Sequence, residues 1–354
     1  MMARLEEICA INMGQSPDSS TYNEDGNGLP FFQGNADFGE IYPAVRMWCS
    51  EPTKIAREKD ILISVRAPIG ALNIANCECC IGRGLAALTV NEDICAQEYL
   101  WHALSGKVDE LNSKGTGSTF KAINKKTLSE TEIPLPPIDE QRKIAAILDK
   151  VSDLIAKRQQ QLDKLDEAVK ARFVEMFGDC YTNPHNLPIE KWNNIFSTTT
   201  GKLDSNAAVE NGKYPFFTCS KETLRINTYA FDQEALLLAG NNAAGKYDVK
   251  YYCGKFNAYQ RTYVLSLKHD WSYALFRFQL EDKLGYLEQQ SLGGLTKYLT
   301  LKILNELEFI VPPKEEQDKF AAFVDQIEKT KTTVSHSLEK LETLKKALMQ
   351  EYFG

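Results

Sequence analysis

"LPPIDEQRKIAAILD", residues 135–149, is written a second time as "VPPKEEQDKFAAFVD", residues 311–325, displaced by 176 positions. The same displacement carries "LDKLDEAVKARFVEMFG" (162–178) onto "LEKLETLKKALMQEYFG" (338–354), and pairs Leu128 with Leu304 and Glu132 with Glu308. Further upstream, "LPFFQG" (29–34) echoes "YPFFTC" (214–219) at a displacement of 185, so insertions and deletions separate the front portions of the two copies. A repeat on this scale decides architecture before any single motif does. The chain is two units in tandem, each with a variable front and a well-matched back.

The backs read as helices. A double proline followed by acids suits a helix start, and Gly178 and Gly354 suit the stop. Ile144, Leu148, Val151, Ile155, Arg158, Leu162, Leu165, Val169, Arg172 and Met176 alternate spacings of four and three, which is the seam of a coiled coil. The matching positions of the second copy are Phe320, Val324, Ile327, Lys331, Val334, Leu338, Leu341, Lys345, Leu348 and Tyr352. At about 38 residues and 1.5 Å rise, each helix is roughly 57 Å long, a strut rather than an element of one compact domain. A homodimeric coiled coil is one use of such a seam, and pairing within the chain is the other. The seam favours the second. Arg158 and Arg172 interrupt the first helix where the second has Val334 and Leu348, and Lys331 and Lys345 interrupt the second where the first has Ile155 and Val169. Leu148, Ile155, Leu162 and Leu165 are expected to face Ile327, Val334, Leu338 and Leu341.

The fronts read differently. "KDILISVRAPIGALNIA" (59–75), "EALLLAGNNAAGKYDVKYY" (234–252) and "RTYVLSL" (261–267) suggest short strands broken by Gly, Pro and Asn. "CAQEYLWHALSGKVDEL" (95–111) and "SYALFRFQLEDKLGYLEQ" (272–289) carry helical periodicity. The expected fold is therefore α+β: two mixed α/β globules joined by two long antiparallel coiled-coil helices, with pseudo-twofold symmetry. The expected segments are a first globule over 1–135, a central helix over 136–180, a second globule over 181–311 and a C-terminal helix over 312–354.

Composition narrows the class. The 354 residues are 43% hydrophobic and 25% charged, ordinary for a globular protein. No apolar run reaches the roughly 18 to 20 residues of a membrane span, and "MMARLEEICA" is not a signal peptide, so a cytoplasmic protein without membrane contact is expected. Nine irregularly spaced cysteines fit reduced thiols. Cys77 and Cys80 form a C-x-x-C, but Cys49 and Cys95 do not supply the second pair of a structural zinc site, and no metal is expected. The net charge of −7 argues weakly against nucleic acid, yet "NSKGTGSTFKAINKK" (112–126) holds four lysines and no acid.

One motif competes with this reading. "GNNAAGK" (240–246) has the G-x-x-x-x-G-K of a nucleotide-binding loop, but Tyr247 stands where a Ser or Thr must hold Mg²⁺. Its counterpart in the first copy, "LISVRAPIGALNI" (62–74), keeps a strand–turn–strand without the motif. The stretch reads as a turn in the second globule.

"IPLPPIDEQRKIAAILDK" and "FIVPPKEEQDKFAAFVDQ", each followed by its long helix, resemble the conserved regions of the specificity (S) subunit of Type I restriction-modification systems. "GQSPDSSTYNEDGNGLPFFQGNADFGE" (14–40) and "GTGSTFKAIN" (115–124) resemble target-recognition segments of that family, and the likeness spans the whole chain. It implies a non-catalytic, sequence-specific DNA-binding subunit. Its two target-recognition domains would each read one half of a bipartite, asymmetric site in duplex DNA, while its helices set the spacer and dock two methyltransferase (M) subunits. S-adenosylmethionine, ATP and Mg²⁺ would sit on partner subunits, with nuclease-translocase (R) subunits joining the full complex. The residues agree: there is no glycine-rich adenosylmethionine loop, no N-P-P-[YF] motif, and His102, His185, His269 and His336 form no evident pair. A related system with a fused nuclease-methylase partner would use a similar chain, and a coiled-coil protein whose globules bind protein or sugar is a reading from a different class.

Candidate DNA contacts follow from side-chain chemistry. Lys114, Thr116, Ser118, Thr119 and Lys121 combine hydroxyls and cations on a glycine-rich loop. Its counterpart runs from 290 to 297 and offers Lys297 and Tyr298. Arg66 and Arg83 suit guanine edges; Asn241, Asn242, Lys246, Tyr259, Gln260 and Arg261 are the comparable set in the second globule, with Asn and Gln suited to adenine. Glu140, Gln141, Arg142, Glu316 and Gln317, at the matched helix starts, are candidates for docking the M subunits.

Overall fold

A computed structural model describes residues 1–117, 121–243 and 245–354; Ser118 and Thr119 lie outside the described residues. Two compact units emerge, one of residues 1–159 with 336–354, the other of residues 160–335. Both long helices are therefore divided between the units. Each unit is a globule together with one end of each helix, a division that cuts across the four segments read from the sequence.

In the first unit the strands Cys9–Met13, Leu85–Val90, Ile61–Ser64 and Leu72–Ile74 form a sheet in that order. Alternation along the strands serves two layers. Ile61, Ile63, Ala86 and Leu88 pack with Tyr99, Leu100, Ala103 and Leu104 of the helix Gln97–Gly106, while Leu62, Leu85 and Ala87 pack with Phe32 and Ile81 on the opposite face. With both faces covered, each of the buried Ile, Leu and Phe side chains gains about 1.5–3 kcal/mol from burial, and the strands read as nearly unbroken apolar runs.

The second unit repeats the plan. Its six-stranded sheet runs in the order Phe196–Thr200, Thr262–Leu267, Phe231–Ala239, Val249–Ala258, Tyr214–Phe217, Leu224–Ile226. Leu236, Leu238 and Leu265 face Leu275 and Phe276, while Leu237 and Val264 face Phe217 and Phe256. The "LPFF" and "YPFF" echoes are strands at the same place, for Phe31 and Phe32 pair in parallel with Cys80 and Ile81, and Phe216 and Phe217 pair in parallel with Asn257 and Ala258. Even the edge ribbons match: Met2–Arg4 pairs Glu132–Pro134, and Ile189–Lys191 pairs Glu308–Ile310.

The helices Ile138–Phe177 and Lys314–Phe353 are 40 residues each, about 60 Å long. Opposite ends of the two share a core in each unit, so they pair antiparallel within the chain. In the first unit Ile144, Ala145 and Leu148 cluster with Phe353, and Leu348, Met349 and Tyr352 pack against them. In the second, Val169, Phe173 and Phe177 cluster with Phe320, and Phe323, Val324 and Ile327 pack against them. Of the seam residues, Leu148 and Val334 are buried and Ile155, Leu162, Leu165, Ile327, Leu338 and Leu341 half-buried. The charges in the seam find partners in the second unit. Lys331 pairs with Asp166 and with Glu328, and Arg172 lies 6.0 Å from the centre of the Phe323 ring while bonding Glu175 at 2.8 Å.

Candidate nucleic-acid interface

The candidates of the first globule gather where the strand Ile61–Ser64 ends and its antiparallel partner Leu85–Val90 begins. Val65 N donates to Gly84 O (2.9 Å) and Ile123 N to Val65 O (2.9 Å), which lays the segment around Ala122 beside Arg66. Arg66 and Ala122 are bridge partners, as are Thr116 and Ala122, and Ala67 N donates to Lys121 O (3.1 Å). Arg83 occupies the turn 82–85, closed by Leu85 N to Gly82 O (3.0 Å). That turn demands glycine on both sides of Arg83, because a Cβ on Gly82 or Gly84 would fall 2.9 and 2.5 Å from the Gln33 backbone. Arg66, Arg83, Thr116 and Lys121 thus converge as exposed side chains. Lys114 is drawn away: its ammonium bonds Glu110 at 2.6 Å, and that bond is the main reason the Glu110 carboxyl is held below its ordinary range.

In the second globule Asn241 and Asn242 pair with Tyr298 and Lys297. Gly240 N donates to Arg261 O (2.8 Å), and Gly240 O accepts from Leu299 N (2.8 Å). Tyr259, Gln260 and Arg261 form the turn closed by Thr262 N to Tyr259 O (2.8 Å). Lys246, Gln260 and Arg261 are exposed, and Asn241, Asn242, Tyr259 and Lys297 half-buried. These bonds also settle the nucleotide-loop spelling. The Gly240 amide is engaged in the sheet, Gly245 N turns back to Asn242 O (3.2 Å), and Tyr247 is buried in the core.

The two edges share one backbone register. The bridges Thr116–Ala122 and Leu292–Tyr298 differ by the repeat displacement, and Thr116 and Leu292 are each followed by a glycine of positive φ, Gly117 (126°) and Gly293 (103°). Lys121 and Lys297 then occupy the same position. The helices that follow are capped alike, Asn124 accepting from Thr127 N (2.9 Å) and Thr300 from Ile303 N (3.4 Å).

Gln141 and Gln317 are not surface residues, which corrects their expected role in docking. Their exposures are 0% and 1%. Each carboxamide oxygen accepts the backbone N–H that opens a helix of the adjoining globule, from Ala96 and Ser272, both at 2.9 Å. Each carboxamide nitrogen donates to a proline carbonyl, Pro136 or Pro312, both at 2.8 Å. Buried amides without such partners cost about 1–3 kcal/mol, so the matched glutamines lock helix to globule. Glu140 and Arg142 are exposed; Glu316 is half-buried and bonds Lys319 at 2.7 Å. His102, which showed no partner in the sequence, contacts Asp149 of the central helix at 2.7 Å.

Burial pushes the Cys9, Cys79 and Cys95 thiols up to about 12. Of the C-x-x-C pair, Cys80 is buried against Phe31 and Cys49 while Cys77 is half-buried. Among the described residues no group of three or more His, Cys, Asp or Glu is placed to hold a metal ion, and no helix is long and apolar enough to cross a membrane.

Two α+β globules with one hydrogen-bond scaffold, each locked to an antiparallel helix pair, define a duplicated recognition protein. The chain belongs to the family of the Type I restriction modification DNA specificity domain, whose model matches residues 1–167 and 191–343. The protein assigned as the MjaX specificity subunit of a type I restriction enzyme in Methanocaldococcus jannaschii is 44% identical over 165 residues, 47% of this chain and 39% of that one. The EcoDI specificity subunit of Escherichia coli is 35% identical over 162 residues, 44% of this chain and 35% of that one. The chain thus spans well under half the length of these curated relatives. The crystal structure of the S subunit of a Type I restriction-modification system from M. genitalium has the same fold, with a TM-score of 0.70 at 15% identity, covering 100% of this chain and 96% of that one.

Proposed function

We propose that this chain is the specificity subunit of a Type I restriction-modification complex, with each globule reading one half of a bipartite, asymmetric DNA site. The observation that carries this reading is the edge built twice: one backbone register presents Arg66, Arg83 and Lys121 in the first globule, and Asn241, Gln260 and Lys297 in the second. A shared scaffold with different side chains is what two unlike half-sites require. Thr116, Asn242, Lys246, Tyr259, Arg261 and Tyr298 complete the two reading edges, and the helices set the spacer between half-sites.

The chain acts in the cytoplasm and carries no chemistry itself. Adenine methylation belongs to two methyltransferase subunits that hold S-adenosylmethionine, and ATP- and Mg²⁺-dependent translocation and cleavage belong to nuclease subunits. Exposed Glu140, Ile147 (43%) and Leu154 (36%) recur every seven residues on one face of the central helix, and this face, with Arg142 and Glu316, supports the docking of a methyltransferase subunit.

Duplex binding by the complex of this chain with its methyltransferase partner tests the reading. Affinity for site-containing duplex should exceed that for random duplex by roughly 10³-fold or more and fall steeply with salt. Equal affinity for both duplexes, or binding indifferent to salt, contradicts it.

A further inference from the structure

The two reading edges differ in a chemically consistent way once they are brought into register. Gly82 N donates to Phe32 O (2.8 Å) as Tyr259 N does to Phe217 O (2.9 Å). Val65 N donates to Gly84 O (2.9 Å) as Gly240 N does to Arg261 O (2.8 Å). These bonds equate residues 82 with 259, 84 with 261 and 65 with 240. Arg83 therefore stands where Gln260 stands, at the second position of a four-residue turn. Arg66 stands where Asn241 stands, and the two pair with residues that the repeat also matches, Ala122 and Tyr298.

At both matched positions the first globule has Arg and the second a carboxamide. Arg66 and Arg83 are exposed, and among the described residues neither guanidinium has a hydrogen-bond or ion-pair partner. The Asn241 side chain is likewise unbonded, and the Gln260 amide makes only a 3.4 Å contact with Asp204. A guanidinium carries donors alone, which match the O6 and N7 acceptors of guanine; a carboxamide carries a donor and an acceptor, which match N7 and the N6 amino group of adenine. On a common backbone register, exchanging one for the other changes the pattern of donors and acceptors offered to a base edge. Lys121 and Lys297, identical in the two edges, supply what both halves share, a contact to phosphate.

We propose that the half-site read by the first globule carries guanine at the base pairs met by Arg66 and Arg83, and that the half-site read by the second carries adenine at the corresponding pairs, met by Asn241 and Gln260. This rests on the proposed recognition function.

The test sequences methylated DNA from cells carrying the full complex, with wild type, Arg66→Asn, Arg83→Gln, Asn241→Arg and Gln260→Arg compared. The expected result is a one-position change from G·C to A·T in one half-site for each of the first two variants. The reciprocal change should appear in the other half-site for the last two. Duplex competition should show the preference reversed by about 10- to 100-fold at that base pair. A motif unchanged after Arg66→Asn and Arg83→Gln overturns the assignment. So does a variant that loses methylation and binds no duplex bearing A·T at any former G·C of its half-site. A wild-type complex that methylates no bipartite motif instead sinks the recognition reading beneath it.

Discussion

Gln141 and Gln317 do the same work in the two copies: each satisfies a backbone N–H and a proline carbonyl that the junction of helix and globule would otherwise strand. Gln141→Leu keeps roughly the volume and removes its three bonds, from Ala96 N and to Ile94 O and Pro136 O. Its expected cost is about 1–3 kcal/mol, read as a lower denaturant midpoint with an unchanged methylation motif. A midpoint within error of wild type contradicts the locking role. The matched lysines make the opposite kind of contribution. Lys121→Ala or Lys297→Ala should weaken binding to all duplexes alike and lower the salt slope by roughly 1, without changing the motif. A changed motif would make that lysine a base reader. At this scale the sequence was legible in chemistry and illegible in placement. A buried carboxamide and an exposed one share a letter, and the bonds that decide for Gln141 reach back 45 residues to Ala96.

The helices were legible as elements because their pattern is local: a four–three spacing needs only the neighbouring turns to declare its buried face. Their ends carry the globules' cores, Phe320 touching Phe173, Phe177 and Phe278 at centroid distances of 5.6 to 5.8 Å. Deleting seven residues from each helix, within 157–164 and the matching 331–340, removes two turns and keeps the seam in phase. The expected outcome is a shorter spacer between unchanged half-sites, read from the methylation motif. An altered half-site with a constant spacer contradicts the spacer-setting role. Ile147→Asp with Leu154→Asp should abolish co-purification with the methyltransferase and leave thermal unfolding of this chain within a few degrees of wild type. Intact co-purification would remove that face from the docking surface. The sheets were less legible, since strand length depends on a distant partner. Val249–Ala258 is one strand because Phe231–Ala239 runs nine residues beside it. In the first globule the turn 57–60, with Lys59 at φ 74°, shortens the partner to Ile61–Ser64, and the same stretch breaks into Leu72–Ile74 and Cys79–Ile81.

For the whole molecule, duplication is the fact from which the proposed function follows. It was visible as a displacement of 176 positions in the backs, and the hydrogen-bond register extends it through fronts whose residues have diverged. Under the proposed function, two copies of one edge with different side chains call for two unlike half-sites, and a covalent tandem fixes their order, which makes the proposed site asymmetric. The base sequence was not legible from the letters, because side chains reach a groove only from particular turns. The register narrows it to guanine against adenine at the matched positions. Single-molecule sequencing of host DNA methylated by the complex of this chain with its methyltransferase partner tests the central claim most directly. The expected result is one methylated motif of two short, unlike blocks separated by a fixed number of unspecified bases. A continuous motif, a palindromic one, or no motif at all would contradict it.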